Sequence, residues 1–201
     1  MASIYDIKPA FQNLLRPLTR ALAAAGVTAN QVTLAAALLS GGIGACICFN
    51  PGARWPLLLL PGFLLMRMAL NAIDGMLARE HNLKSRLGAV LNEIGDVVAD
   101  TALYLPLALV PGFSAWLVVL ITILAIISEM TGVVAVQIGA TRRYDGPMGK
   151  SDRAFAFGLL ALLLGLGVPA GRWLFYVQVM LSGLLVLTIY NRANRALLAK
   201  P

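Results

Sequence analysis

The sequence predicts an all-α, polytopic membrane protein, with about six transmembrane helices following an N-terminal amphipathic helix that lies in the interface. Three observations carry this. Of 201 residues, 59% are hydrophobic and only 12% charged, a balance no ordinary soluble domain keeps. Apolar runs of about 20 residues, the length needed to cross a bilayer, recur along the chain. Pro-Gly pairs at 51, 61 and 111 and Pro-Ala-Gly at 169 punctuate those runs, as helix breakers do.

In chain order, residues 2–25 set Ile4, Ile7, Phe11, Leu14, Leu15, Leu18 and Leu22 against Lys8, Arg16 and Arg20. That pattern predicts an interfacial helix, bent near Pro9 and Pro17. Gly26 ends it, and Thr28 or Asn30 caps the next helix. The spans then fall at 31–49, 57–79, 87–110, 114–139, 154–170 and 173–193. Sharing one core, they form a single membrane domain over 1–201, its bundle spanning 31–193. The N-terminus lacks the charged, apolar, small-residue succession of a cleavable signal. Cys46 and Cys48 fall inside the first span, where small apolar packing is their expected role. No internal repeat is evident.

Basic residues set the orientation. The N-terminal segment carries Lys8, Arg16 and Arg20; the second loop Arg79, Lys84 and Arg86; the fourth Arg142, Arg143, Lys150 and Arg153; the tail Arg192, Arg195 and Lys200. Opposite loops offer Arg54 and Arg172 alone. The asymmetry predicts cytoplasmic termini and a cytoplasmic 80–86 loop. Trp55, Trp116 and Trp173 then fall at the external span ends, as interface anchors do. The net charge of +7 becomes a juxtamembrane belt for anionic lipid, and with no recognition motif a nucleic-acid role is excluded.

The chemistry gathers between Asn71 and Asp100, where acidic and amide side chains interrupt two apolar stretches joined by a short basic loop. Ionisable groups at such depth are costly unless they face a cavity, a metal or a partner. Asn71, Asp74 and Ala78 share one face of the incoming helix; Gly88, Asn92, Asp96 and Asp100 recur at four on the outgoing one. With the turn near position 83, Asn71 lies level with Asp96 and Asp74 with Asn92. At about 1.5 Å rise per residue, these four groups sit roughly 7 to 14 Å in from the loop. A soluble headgroup reaches that depth.

The run Asp74-Gly75-x-x-Ala78-Arg79, eight residues, Gly88-x-x-x-Asn92-x-x-x-Asp96 resembles the signature of the CDP-alcohol phosphatidyltransferases, integral-membrane enzymes that pass a phosphatidyl or related group from a CDP-linked donor to an alcohol and release CMP. The Thr-Ala-Asn-x-Val-Thr run at 28–33 resembles the same family. The family pattern has four aspartates; here the first and third are Asn71 and Asn92. The resemblance implies that Gly75, Ala78, Arg79 and Gly88 line the CDP pocket. It implies that Asp74 and Asp96 bind metal and that Asp96 is also the base for the acceptor hydroxyl. It further implies a homodimer, and a bacterial inner-membrane enzyme whose site faces the cytoplasm.

Physical chemistry supports such a motif independently. A pyrophosphate diester carries about two negative charges, and cleaving it calls for a hard divalent cation, Mg²⁺ or Mn²⁺, held by oxygen ligands. Glycines let a nucleotide approach the helix backbone, and Arg79 is placed to fork onto phosphate oxygens. The amide oxygens of Asn71 and Asn92 still coordinate but add no charge. Four aspartates and a pyrophosphate against two divalent ions sum to about minus two, whereas two aspartates give about zero. The expected reaction is transfer from a CDP-diacylglycerol-like donor to an unidentified hydroxyl acceptor at the lipid bilayer.

Further charges lie outside the signature. Arg67 continues the Asn71 and Asp74 face and is expected to pair with Asp100, Glu129 or both. Lys150 and Arg153 open the fifth span; basic residues at the equivalent place in the family are thought to bind phosphate, so both are expected to take donor or acceptor phosphate, with Asp152 capping the helix. Gly-x-x-Gly-Lys-Ser at 146–151 is no phosphate loop, since the first glycine is misplaced and no strand precedes it. His81 is a solvated spectator. Two alternatives stand beside the enzyme: a silent relative that binds nucleotide lipid or scaffolds a partner, and a small transporter, against which the one-sided cluster and missing repeat symmetry argue.

Overall fold

The computed structural model describes residues 4–81 and 83–199, with side chains from residue 9 onward. Residues 2 and 3 of the interfacial segment, the side chains of Ile4, Ile7 and Lys8, and Lys200 therefore lie outside the described residues. Every regular element described is helical: α1 Ile4–Ala24, α2 Ala29–Phe49, α3 Trp55–Glu80, α4 Arg86–Tyr104, α5 Ala115–Val134, α6 Lys150–Gly165 and α7 Arg172–Leu197. Short 3₁₀ turns at Leu105–Leu109 and Ala135–Ile138 extend α4 and α5.

Local chemistry sets these boundaries. Gly26 takes φ +77°, and Val27 N–H donates to the Leu22 carbonyl at 3.0 Å, closing α1 in the left-handed cap that glycine permits. Thr28 and Gln31 then form a reciprocal capping box. Thr28 N–H donates to Gln31 Oε1 at 2.8 Å and Gln31 N–H to Thr28 Oγ1 at 3.3 Å, so Thr28 takes the capping role. Ser85 Oγ receives Gly88 N–H at 2.9 Å and caps α4. Pro106 falls at the start of the 3₁₀ turn, and the α-helix expected to reach residue 110 stops at Tyr104, because proline supplies no N–H for its continuation.

Among the described residues, four helical stretches are long and apolar enough to cross a membrane: Ala29–Phe49, Trp55–Glu80, Ala115–Ile138 and Arg172–Leu197. The third and fifth expected spans map to α4 and α6. Acidic Glu93, Asp96 and Asp100 lower the apolarity of α4, and α6 has only 16 residues. Large apolar side chains such as Leu65, Ile123, Met130 and Val186 are exposed, the surface expected of a protein whose solvent is lipid.

The chain divides into two compact units, Met1–Gly41 with Leu65–Ala99, and Gly42–Leu64 with Asp100–Pro201. In the first, Ala29, Val32, Ile73 and Leu77 form a small core on which Leu15, Leu22 and Ala23 of α1 pack. On the flank of that packed face, Leu14 and Leu18 of α1 stay exposed. Outside the apolar spans, Arg16 donates to Glu80 at 3.0 and 3.2 Å, and that hydrogen-bonded carboxylate raises the arginine pKa.

The second unit has the larger core, with Leu60, Leu103, Leu107, Phe157, Ala161, Leu174 and Leu185 buried. Tyr104 stacks on Phe157 at 4.4 Å between centroids. Buried Gln178 serves both backbone groups of Ser114, accepting from its N–H at 3.0 Å and donating to its carbonyl at 3.2 Å. The N-cap residue of α5 thereby has both backbone groups engaged. Trp55 and Trp116 are exposed, and Trp173 Nε1 donates to the Pro169 carbonyl at 3.0 Å.

Candidate active site

In the first unit, the signature residues occupy α3 and α4 and are held by groups from α2 and α3. Asp74 is only 4% exposed, and Thr33 Oγ1 lies 2.8 Å from its Oδ2. The Ala29 carbonyl is the hydroxyl's second acceptor, at 3.1 Å. A hydroxyl has one proton, and the carboxylate is the stronger acceptor. A Cβ placed on Gly95 would lie 3.3 Å from Thr33 Cγ2. Thr33 thus touches α3 at Asp74 and approaches α4 one residue before Asp96.

Asp96 is half-buried and held from the other direction. Arg67, 2% exposed, sends Nη2 to the Asp96 carbonyl at 3.0 Å and to its carboxylate Oδ1 at 3.6 Å. Arg67 sits one helical turn from Asn71, on the face that carries Asp74. Asn71 and Asn92 are half-buried, one turn from Asp74 and Asp96 respectively.

The glycines explain themselves by what lies where a side chain would be. A Cβ on Gly75 would meet Arg79 Nη2 at 3.1 Å and Nη1 at 3.3 Å. The exposed Arg79 therefore folds its guanidinium back along α3 over a glycine seat, with half-buried Ala78 beside it. A Cβ on Gly88 would meet Asn30 Oδ1 at 2.6 Å and Ser85 Oγ at 2.9 Å. Asn30, read in the sequence only as an alternative cap, instead brings its carboxamide against the first turn of α4. Its signal was in the 28–33 run; once Thr28 is recognised as the cap, Asn30 is left over for another task.

In the second unit, Lys150 begins α6 half-buried, and Gly149 N–H donates to Asp152 Oδ2 at 2.9 Å, the cap the sequence suggests. Arg153 is 1% exposed. Its Nη2 lies 2.8 Å from Asp100 Oδ2 and 3.0 Å from Glu129 Oε1. Glu129 also meets Arg192 Nη1 and Arg142 Nη2, each at 3.4 Å, while Arg192 donates to the Ser128 carbonyl at 2.6 Å and the Asp145 carbonyl at 3.3 Å. Asp100 and Glu129 thus meet arginines that sequence reasoning had assigned elsewhere. Neither Arg142 nor Arg192 had been read as a partner for them, since both were counted as ordinary inside charge.

Among the described residues, no three His, Cys, Asp or Glu side chains form a metal-binding group. The site's oxygen donors are two carboxylates, Asp74 and Asp96, and two amides, Asn71 and Asn92. All four are hard donors suited to Mg²⁺ or Mn²⁺, so the set fits such a cation with half the charge of the four-aspartate signature.

The model of the CDP-alcohol phosphatidyltransferase family matches residues 26–188. The inner membrane protein YnbA of Escherichia coli is 46% identical over 198 residues, 98% of this chain and 97% of its own. A phosphatidylinositol phosphate synthase of Mycolicibacterium smegmatis is 32% identical over 105 residues, 52% of this chain and 46% of its own. The crystal structure of the Mycobacterium tuberculosis phosphatidylinositol phosphate synthase with CDP-DAG bound shares the fold, with a TM-score of 0.76 and 19% identity across 90% of this chain and 92% of that one. A second structure of that enzyme, with manganese and citrate, gives a TM-score of 0.75 at 19% identity, covering 90% and 88%. By the extent of that family match, over residues 26–188, the chain belongs to the CDP-alcohol phosphatidyltransferase family.

Proposed function

We propose that the protein transfers a phosphatidyl group from a CDP-diacylglycerol-like donor to a hydroxyl acceptor, releasing CMP. The observation that carries this reading is the holding of Asp74 by Thr33 and of Asp96 by Arg67, with glycine seats at 75 and 88 on the same two helices. Gly75, Ala78, Arg79 and Gly88 take the nucleotide diphosphate, the arginine fork meeting phosphate oxygens. Asp96 accepts the proton of the acceptor hydroxyl. The hydroxyl oxygen bonds to the phosphorus that bears the diacylglycerol, and the pyrophosphate P–O bond breaks with CMP as leaving group. Asp74, Asp96, Asn71 and Asn92 would hold Mg²⁺ or Mn²⁺, which when bound offsets charge on the pyrophosphate.

In the same reading the chain is one domain with six crossings, α4 and α6 included, and α1 lies in the interface with Leu14 and Leu18 toward lipid. Termini and site face the cytoplasm, by the distribution of basic residues. The membrane is a bacterial inner membrane, supported by the Escherichia coli relative, and the assembly is a homodimer. Lys150, half-buried at the start of α6, takes substrate phosphate. Arg153 contributes by orienting that ion-paired group. Purified protein incubated with CDP-diacylglycerol and a panel of alcohols should release CMP and form a new lipid of matching mass, and Asp96→Asn should abolish both. Absence of CMP with every acceptor defeats the reading.

One observation favours a second reading, a silent nucleotide-lipid binder: the signature keeps two of four acids, and no three metal-type side chains group among the described residues. Asn71→Asp with Asn92→Asp separates the two. Turnover that appears only in the double variant would identify the parent as silent.

A further inference from the structure

We infer that Arg67 is a built-in cation of the reaction site, holding Asp96 in place and supplying positive charge that a second divalent ion would otherwise bring, so that the site takes a single ion. The inference deepens the transferase reading and rests on it for its effect on turnover; the metal count does not.

The geometry is specific. Arg67 is 2% exposed, and its Nη2 reaches the Asp96 backbone carbonyl at 3.0 Å as well as the carboxylate at 3.6 Å. An ion pair kept for burial alone needs only the carboxylate. Binding the carbonyl too fixes the turn of α4 from which the Asp96 side chain projects, and a planar fork with several donors is suited to gripping two acceptors of one residue. Asp96 remains half-buried with its side chain 21% exposed, so the grip comes from beneath and leaves the carboxylate accessible.

Charge decides the number of ions. Asp74, Asp96 and a pyrophosphate sum to about minus four; Arg67 brings that to about minus three. One divalent ion then leaves about minus one and two leave about plus one, so with Arg67 in place a second ion carries the site past neutrality instead of bringing it to zero. The ligand inventory agrees. Two amides stand where the family signature has carboxylates, and an amide oxygen gains less from a second cation than a carboxylate does. A guanidinium, unlike a metal ion, is also always present, so Asp96 is oriented before any substrate arrives.

The test is a Mn²⁺ titration of the purified full chain with CDP present, read by electron paramagnetic resonance, beside CMP release from CDP-diacylglycerol. The parent should take one Mn²⁺ per chain with an uncoupled spectrum. Asn71→Asp with Asn92→Asp should take two, with a spin-coupled spectrum. Removing the charge in Arg67→Met should tighten Mn²⁺ binding on the order of tenfold, since a neighbouring cation is gone, while CMP release falls. Arg67→Lys should return Mn²⁺ affinity to the parent value and restore part of the turnover. A merely structural arginine would instead lower metal affinity and turnover together. Two coupled Mn²⁺ ions in the parent, no Mn²⁺ at all, or an Arg67→Met protein with unchanged or weaker metal binding would each overturn the inference. If Arg67→Met does not fold, the parent count and the Arg67→Lys affinity decide it. One Mn²⁺ in a parent that never releases CMP would uphold the role of Arg67 and defeat the transferase reading.

Discussion

Thr33 Oγ1 donates to Asp74 Oδ2 across 2.8 Å, linking α2 to a carboxylate that is only 4% exposed. A group that orients a ligating carboxylate is worth about 10- to 100-fold in metal affinity or activity. Thr33→Val keeps the shape and deletes the donor. It should therefore lower Mn²⁺ affinity and CMP release by about that factor, while Thr33→Ser, which keeps the hydroxyl, stays near the parent. Loss in Thr33→Ser with Thr33→Val near the parent would mean that the γ-methyl against Gly95, not the hydrogen bond, is what matters.

Arg153 with Asp100 and Glu129 makes a different kind of demand. Its guanidinium is 1% exposed and lies 2.8 and 3.0 Å from the two carboxylates. Deleting one member of a buried pair strands the others, at a cost of about 3 to 5 kcal/mol. Arg153→Leu should accordingly lower the thermal transition in detergent by many degrees. Arg153→Leu combined with Asp100→Leu should recover part of that loss, because one of the stranded charges is gone. A single variant as stable as the parent would mean that Arg142 and Arg192 suffice to neutralise both acids.

Gln178 tests how an apolar surrounding prices a backbone group. Fully buried, it satisfies both N–H and carbonyl of Ser114. Gln178→Leu removes the acceptor of the Ser114 N–H and one of the two donors to its carbonyl, which keeps Val118 N–H at 3.0 Å, and a buried backbone group left unsatisfied costs about 1 to 3 kcal/mol. Amide hydrogen exchange at the first turn of α5 should rise in this variant, with α3 and α4 unchanged. Uniform exchange throughout would show that water already reaches Ser114.

The helices and the signature were legible because their causes are local. Hydropathy marks the apolar runs, glycine and the Thr28 to Gln31 box mark their ends, and the spacing of 74, 75, 78, 79, 88 and 96 survives in one continuous stretch. Pairing among buried charges was legible only in part. Depth counting set Arg67 beside Asp100 and Glu129, and it gave no sign that Arg67 also holds Asp96 or that Glu129 gathers arginines from the loop and from α7. The structure gives Arg67 a hold on Asp96 at 3.0 Å and gives Glu129 three arginines. Arg192, near the end of a long α7, looked in sequence like tail charge. Its 2% exposure depends on the 140s loop folding over it, as its bond to the Asp145 carbonyl records, and no periodicity reports such a long-range event.

Gly88 offers the sharpest separation of binding from stability. A Cβ there would come within 2.6 Å of Asn30 Oδ1 and 2.9 Å of Ser85 Oγ, distances that require something to move. Ser85 is the α4 cap, held by Gly88 N–H itself, whereas Asn30 is the far end of a side chain on α2. The cheaper relief is for Asn30 to swing away, so Gly88→Ala should cost about 1 kcal/mol of stability, within the overpacking range. If the Asn30 carboxamide or the open helix surface meets the nucleotide, the same variant weakens CDP-diacylglycerol binding by about tenfold or more, a much larger effect than its stability loss implies. Gly88→Ala with Asn30→Ala distinguishes the two sources: in the double variant the Asn30 clash is gone and only the Ser85 hydroxyl contact remains, so most of the stability returns. Donor affinity that returns with it would assign the loss to Asn30 being displaced, while affinity that stays low would assign it to the methyl blocking the backbone. Tight donor binding in Gly88→Ala itself would remove Gly88 from the nucleotide pocket altogether.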